Sequence, residues 1–358
     1  MPLPFILGGI AAAAAGYGAK KGYDGTRDTL EANKIIKQAK LDYEAKKLKF
    51  DLSSKNLEKN LDKLGNLQLK IGSDFGEFRK IAESLLEKIN NSDRKNLEIN
   101  IPKHKLNKIK QVEFSTTAFL GKVVGAGIGG AAAAYAVYGG VMAFAAASTG
   151  TPIAALSGIA AYNATLAAIG GGSLAAGGFG MAGGAMVLGS VVAAPVIAIA
   201  GWAFSSYGED ALKDAKKARV EVDDAIKKLI SAKSQLDKIS NYSLKIYHTT
   251  ESIYEVFTKY FNDLKTMDAF VRNGGNIEKI EDALINIIEN GYTVAAILTD
   301  IITTPLFKPK LNDYGDVIMD ANKVVQLETD ENGIQVLNED KINEVLAEAE
   351  KDVSQVAA

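Results

Sequence analysis

Few residues in this chain have the types and spacing that chemistry needs. GAGIGG at 125–130 matches the G-x-G-x-x-G pattern that lets a backbone approach a pyrophosphate. That use requires a strand before it, a helix after it and an acid about 20 residues on, and no acid follows until Glu209. The acid pairs Glu209-Asp210, Asp223-Asp224, Asp330-Glu331 and Glu339-Asp340 fall on polar helix faces or in turns, where nothing builds a pocket that shifts a carboxyl pKa. Cysteine is absent and the histidines are His104 and His248, far apart, which removes thiolate chemistry and Cys-based metal sites. The basic residues lack the interleaved aromatics of a nucleic-acid module. The expectation is a non-enzyme with no catalytic or metal residues, no cofactor and no nucleic-acid partner.

The charge pattern says more. Val123 to Gly208 contains no Asp, Glu, Lys, Arg or His, and holds 19 of the 34 glycines. Residues 20–122 carry 23 basic and 15 acidic side chains, and 209–358 carry 18 and 28. An uncharged run far longer than the roughly 20 residues of a membrane span points to a bilayer. The opening MPLPFILGGIAAAAAGYGA is also uncharged, but Lys20 and Lys21 follow it where a signal peptide carries its basic residues in front. It reads as a retained membrane-seeking segment.

The elements around the block are helical arms. Ile36, Tyr43, Phe50, Leu57, Leu64, Ile71, Phe78 and Leu85 recur every seven residues, on one long helix or on two with a break near Gly72 to Gly76. A second arm carries Val222, Leu229, Leu236, Phe257 and Leu264 at one heptad position and Ala225, Ala232, Ile239, Ile246, Ile253, Tyr260 and Met267 three residues on. Opposite net charges favour antiparallel docking of the two arms, because their apolar stripes would otherwise stay exposed. Between arm and block, KNLEINIPKHKLNKIK (95–110) is broken by Pro102 and reads equally as an anionic-lipid contact or a solvated loop.

Within the block, Thr117 to Ala147 is long enough to span, since 25 residues rise about 37 Å. Gly121, Gly125 and Gly129 stack on one helical ridge where a second backbone could approach in lipid, and Gly180 and Gly184 repeat the spacing. Lys122, Trp202 and Tyr207 are placed as interface anchors. Docked arms put both block ends on one side, so the block crosses an even number of times. A form that hides the block against the arms is the alternative. After the second arm, 277–302 reads as a helix pair broken near Gly291, 327–337 as a hairpin, and 341–353 as an acidic helix.

The run STGTPIAALSGIAAYNATLAAIGGGSLAAGGFGMAGGAMVLG (148–189), the opening MPLPFILGG with GAKKGYD, and the later TPLF resemble a family of uncharacterised bacterial proteins with a glycine-rich apolar core between helical arms. In architecture the chain is also similar to cytolysin A-type α-helical pore-forming toxins. The resemblance implies an all-α protein: a long antiparallel coiled-coil or helical-bundle stalk with a glycine-rich, membrane-inserting helical hairpin. The expected organisation is an apolar segment at 1–19, a basic arm at 20–116, the membrane hairpin at 117–208, a coiled-coil arm at 209–272 and an acidic region at 273–358. The expected function is self-association in a bilayer with permeabilisation, as a toxin or an antiviral-defence effector. Non-leaky membrane scaffolding and coiled-coil membrane signalling are the alternatives. The expected partners are a lipid bilayer, further copies of the chain and a protein held by the arms. The expected place is a bacterial inner membrane with cytoplasmic arms, or a soluble form that inserts.

Overall fold

An apolar residue every seventh position keeps one seam of a helix dry, and two long helices are built on such seams. A computed structural model describes residues 23–93, 101–123, 132–133, 135–136, 211–318, 326, 328 and 336–356. Among them are five α-helices: α1 (Tyr23–Asp93), α2 (Lys103–Val123), α3 (Ala211–Arg272), α4 (Glu281–Ile302) and α5 (Glu339–Val356). The chain divides into two compact units, 1–56 with 167–238 and 57–166 with 239–358. Both α1 and α3 contribute to each.

In the first unit α1 buries Ala32, Ala39, Tyr43 and Phe50, and α3 buries Ala215, Val222, Leu229 and Leu236. Ala32 packs with Ala215, Arg219 bonds Asp42 at 2.6 Å, and Ser53 bonds Asp237. The hydrogen bond from Arg219, seconded by Gln38, holds the Asp42 carboxyl below its ordinary range. Residue numbers rise together on both helices, so they run parallel.

The second unit repeats that direction: Asn60 meets Ser240 at 2.7 Å, Asp74 meets Tyr254, and Glu77 meets Lys265 at 3.1 Å. The antiparallel docking expected of the arms is therefore corrected to parallel. Net charge can attract two helices but does not set their direction; here α2 makes the return. It lies antiparallel on α1, with the Arg79 guanidinium donating to both Glu113 oxygens at 2.8 Å. That bidentate bond holds the Glu113 carboxyl below its ordinary range.

The glycines of α1 serve this contact. A Cβ on Gly72 would lie 2.0 Å from Thr116 Oγ1, and one on Gly76 3.1 Å from Glu113. Helix α1 thus continues unbroken through Gly72 and Gly76, whose missing side chains admit α2. Gly65 does the same for the apolar block, since its Cβ would lie 1.7 Å from the Ala132 carbonyl oxygen.

Past the end of α2, the described residues of the block, Ala132, Ala133, Tyr135 and Ala136, are buried in protein, whereas Thr117 and Leu120 on α2 are exposed. The Ala133 N–H donates to Asp62 Oδ1 at 2.9 Å, and burial pushes the Asp62 carboxyl pKa up. The Tyr135 hydroxyl shares a hydrogen bond with Thr116 at 3.0 Å, and its ring lies edge-on to Phe119 at 5.1 Å. Among the described residues no helix is long and apolar enough to cross a membrane. The fold is corrected accordingly, from a stalk with a membrane-inserting hairpin to an all-α fold with five α-helices among the described residues. The physical reason is local: at Ala132, Ala133 and Tyr135 the block is held by the faces of α1 and α2 and by a carboxylate, contacts of a protein interior.

Rings fill the second unit's core. Phe257 lies 5.3 Å from both Phe75 and Phe78, 5.7 Å from Phe261 and 6.3 Å from Tyr254. Tyr292 sits edge-on to Phe78 at 5.1 Å. Helix α4 is continuous through Gly291, not a broken pair, because Gly291 faces that ring: a Cβ there would lie 2.4 Å from Phe78 Cζ.

Helix α3 closes on Gly274 at φ +87°, a left-handed position that glycine occupies without steric cost. Asn276 then caps a 3-10 turn, Ile277–Ile280, by accepting from the Glu278 N–H at 2.8 Å. Acids Glu281 and Asp282 occupy the first turn of α4, where its dipole favours them. Pro305 follows its end. The chain to α5 is held by backbone bonds in two closed rings of three, Lys310–Gln326–Ile318 and Lys308–Val336–Glu328, all at 2.8–2.9 Å. The bond from Val336 to Glu328 joins the ends of the expected hairpin at 327–337, whose turn lies outside the described residues.

Candidate functional site

The second unit holds a groove of about 560 Å³ where the start of α2, the end of α4 and one face of α5 converge. That size falls in the range of about 300–1,000 Å³ typical of ligand clefts. Each wall follows from local sequence. Pro102 starts α2, so Lys105 and Lys108 project from its first two turns. Pro305 ends α4, leaving Asp300, Thr303 and Thr304 at the rim. On α5 the helical spacing of Ile342, Val345, Leu346 and Ala349 buries one face, and Glu348 and Asp352 border it.

The floor is apolar: Ile297, Pro305, Val345 and Ala349. Much of the polar rim is already committed. Lys108 pairs with Asp300 at 3.0 Å and Lys341 with Glu344 at 2.9 Å. The Thr303 and Thr304 hydroxyls donate to their own helix, to the Thr299 and Asp300 carbonyls at 2.8 and 2.7 Å. The Asn338 amide donates to the Pro305 carbonyl at 3.1 Å, tying the start of α5 to the end of α4. Lys105 on one wall and Glu348 and Asp352 on the other have no charged partner among the described residues. Such a groove can desolvate an apolar group while offering one cation and two anions at its edges.

Neither of the expected residues that are described, Gly121 and Lys122, lines this groove. Gly121 and Lys122 lie in the last turn of α2. Gly125, Gly129, Gly180, Gly184, Trp202 and Tyr207 lie outside the described residues. The basic segment 95–110, expected as a lipid contact or a loop, is helical from Lys103, and Lys108 is spent on Asp300. His104 is exposed on α2, and His248 stands 3.8 Å from Glu251 on α3. Among the described residues no group of three His, Asp or Glu could hold a metal ion. Sequence reasoning did not single out Asp300, Glu348 or Asp352. The period of α5 located its buried face, but its neighbours α2 and α4 are remote in sequence.

No family model, curated protein or solved structure matches the chain. The expected kinship to a glycine-rich bacterial family and to cytolysin A-type toxins therefore has no support; the pore-forming, toxin and defence roles are corrected because no helix among the described residues is long and apolar enough to cross a membrane. The lipid bilayer as partner and the inner membrane as location are corrected on the same ground as the hairpin: no helix among the described residues can span.

Proposed function

We propose that this chain is a non-catalytic helical binding protein whose groove between α2, α4 and α5 takes a short peptide segment of a partner protein. The observation that carries the reading is the groove's wall chemistry. Lys105 faces an acid on the peptide, Glu348 and Asp352 face a base, and the Ile297–Val345–Ala349 floor takes an apolar side chain between them. The Thr303 and Thr304 hydroxyls are engaged by backbone carbonyls, which favours holding a ligand over attacking it.

The test is a displayed peptide library selected on the whole protein and then measured by fluorescence polarisation. Ala349→Arg fills the floor and should abolish binding of the enriched peptides. Lys105→Glu and Glu348→Lys should each weaken it about tenfold or more, a loss of about 1.4 kcal/mol. Enriched peptides that bind Ala349→Arg as tightly as wild type would place the binding surface elsewhere.

A further inference from the structure

In the first unit α1 carries a second stripe on the face opposite its seam with α3. At about 100° per residue, the buried Ala32, Ala39, Tyr43 and Phe50 fall on one side. Leu30, Leu41, Leu48 and Leu52 fall on the other together with Lys34, Lys37 and Lys55, all within about 60° of one another. The four leucines are 63, 51, 61 and 55 % exposed. The three lysines are exposed too, and have no ion pair among the described residues. The acids bordering the stripe are spent: Glu44 pairs with Lys40 at 3.8 Å and Asp51 with Lys47 at 2.6 Å. Aligned exposed leucines mark an interaction surface, and the unpaired lysines among them make it a basic one.

We propose that this stripe docks an acidic amphipathic helix of a partner protein, with two apolar residues one heptad apart and an acid one heptad beyond each. Spacing selects a helix. Lys34, Leu41, Leu48 and Lys55 recur every seven residues, the period that keeps one helix seated along another. A helix that lies in a lipid surface keeps its lysines on a polar face, apart from an apolar one. Here the lysines sit within the leucine stripe itself, where acids on a facing helix meet them. Charge selects a partner other than a second copy. The pattern Lys-Leu-Leu-Lys reads the same in both directions. Self-pairing would therefore set Lys34 on Lys34 if parallel and Lys34 on Lys55 if antiparallel, a like-charge juxtaposition that works against it. A helix carrying Glu or Asp at those two places pairs both ends and covers Leu41 and Leu48 between them.

The probe is a labelled helical peptide of about four heptads, bearing Glu, Leu, Leu and Glu at successive seventh positions and titrated with the whole protein by fluorescence polarisation. It should bind, and a companion peptide with Lys in place of both Glu residues should bind about tenfold more weakly or less. Leu41→Asp with Leu48→Asp changes exposed positions only, so the circular dichroism should be preserved while binding is lost. Lys34→Glu with Lys55→Glu should exchange the preference, losing the Glu peptide about tenfold and gaining the Lys peptide. That exchange is a gain of binding, which a damaged fold cannot produce. Ala349→Arg, in the groove of the second unit, should bind the Glu peptide as wild type does; loss there would place the peptide in the groove and overturn the proposal. No binding of the Glu peptide, equal affinity for the two peptides, or undiminished binding by the leucine variant would overturn it as well. Vesicles of phosphatidylcholine with phosphatidylglycerol are offered in parallel. Vesicle binding that the leucine substitutions remove would make lipid the occupant instead, and a wild-type dimer that they dissociate on gel filtration would make it a second copy; either result overturns the assignment.

Discussion

The two stretches of α1 share one heptad repeat and differ in how many described elements pack on them. From 29 to 56 the helix buries a narrow seam set by small residues and single rings, Ala32, Ala39, Tyr43 and Phe50, against α3. From 57 to 89 the same helix adds Leu61, Phe75, Ala82 and three glycines that admit the Ala132 backbone and the Thr116 and Glu113 side chains. There α2, α4, α3 and residues 132–136 all contribute partners. The difference teaches that a heptad guarantees one dry face and no more. Whether the remaining faces are buried depends on what else the chain returns to them.

That contrast makes its strongest prediction at Phe257, which touches four other rings. Phe257→Ala should cost about 3–5 kcal/mol, read as a lower urea midpoint. Leu229→Ala, in the unit where the described part of the seam has two helices, should fall near the low end of the roughly 2–5 kcal/mol expected for such a truncation. A larger loss at Leu229 than at Phe257 would break the comparison.

A smaller effect is expected at the glycine contacts. Gly65→Ala drives a methyl group into the Ala132 carbonyl, backbone that cannot rotate away, and should cost about 1–3 kcal/mol. Hydrogen exchange should localise the loosening to residues 132–136 and the facing turn of α1. Gly76→Ala would meet the Glu113 side chain at 3.1 Å, a far smaller overlap than at Gly65, and should cost less. Equal losses would mean that the close approach at Gly65 is not what seats the block.

The smallest effect is a pH dependence. The Arg79 fork lowers the Glu113 pKa, so this pair adds stability above the ordinary carboxyl pKa of about 4.3 and loses it as pH falls through the lower folded value. Glu113→Gln should therefore lower the thermal midpoint at pH 7, with the gap to wild type closing in acid. Asp62 has the opposite sign: burial raises its pKa, so ionisation near neutral pH works against folding. Asp62→Asn keeps an oxygen for the Ala133 N–H and should leave the midpoint at pH 7 equal or higher. A gap at Glu113→Gln that widened in acid would contradict the ion pair as the source of its stability.

The sequence by itself determined that the described arms are helical and most of the residues that stay dry on them, with Ile36, Tyr260 and Met267 only half-buried and the polar Ser243 and Thr250 fully buried. Tyr43, Phe50, Leu57, Leu64, Ile71, Phe78 and Leu85 are all buried, because a seven-residue apolar period is a local property that any partner helix must respect. It also showed which residues carry no charge. Direction and destination were decided only by tertiary structure. Net charge suggested antiparallel arms, yet α2 turns back along α1 and leaves α3 parallel to it, since a connection between elements is not written in their periodicity. Glycines at 72, 76 and 291 read as breaks, but each sits where a neighbour comes close, and glycine's lack of a side chain serves both purposes equally. The uncharged block read as a membrane segment because lipid and a protein interior ask for the same side chains. Only the contacts of Ala132, Ala133 and Tyr135 with Gly65, Asp62 and Thr116 distinguish the two where the block is described. The groove was invisible for a related reason: Lys105, Asp300 and Glu348 lie in three helices separated by long stretches of chain, and no local pattern links them.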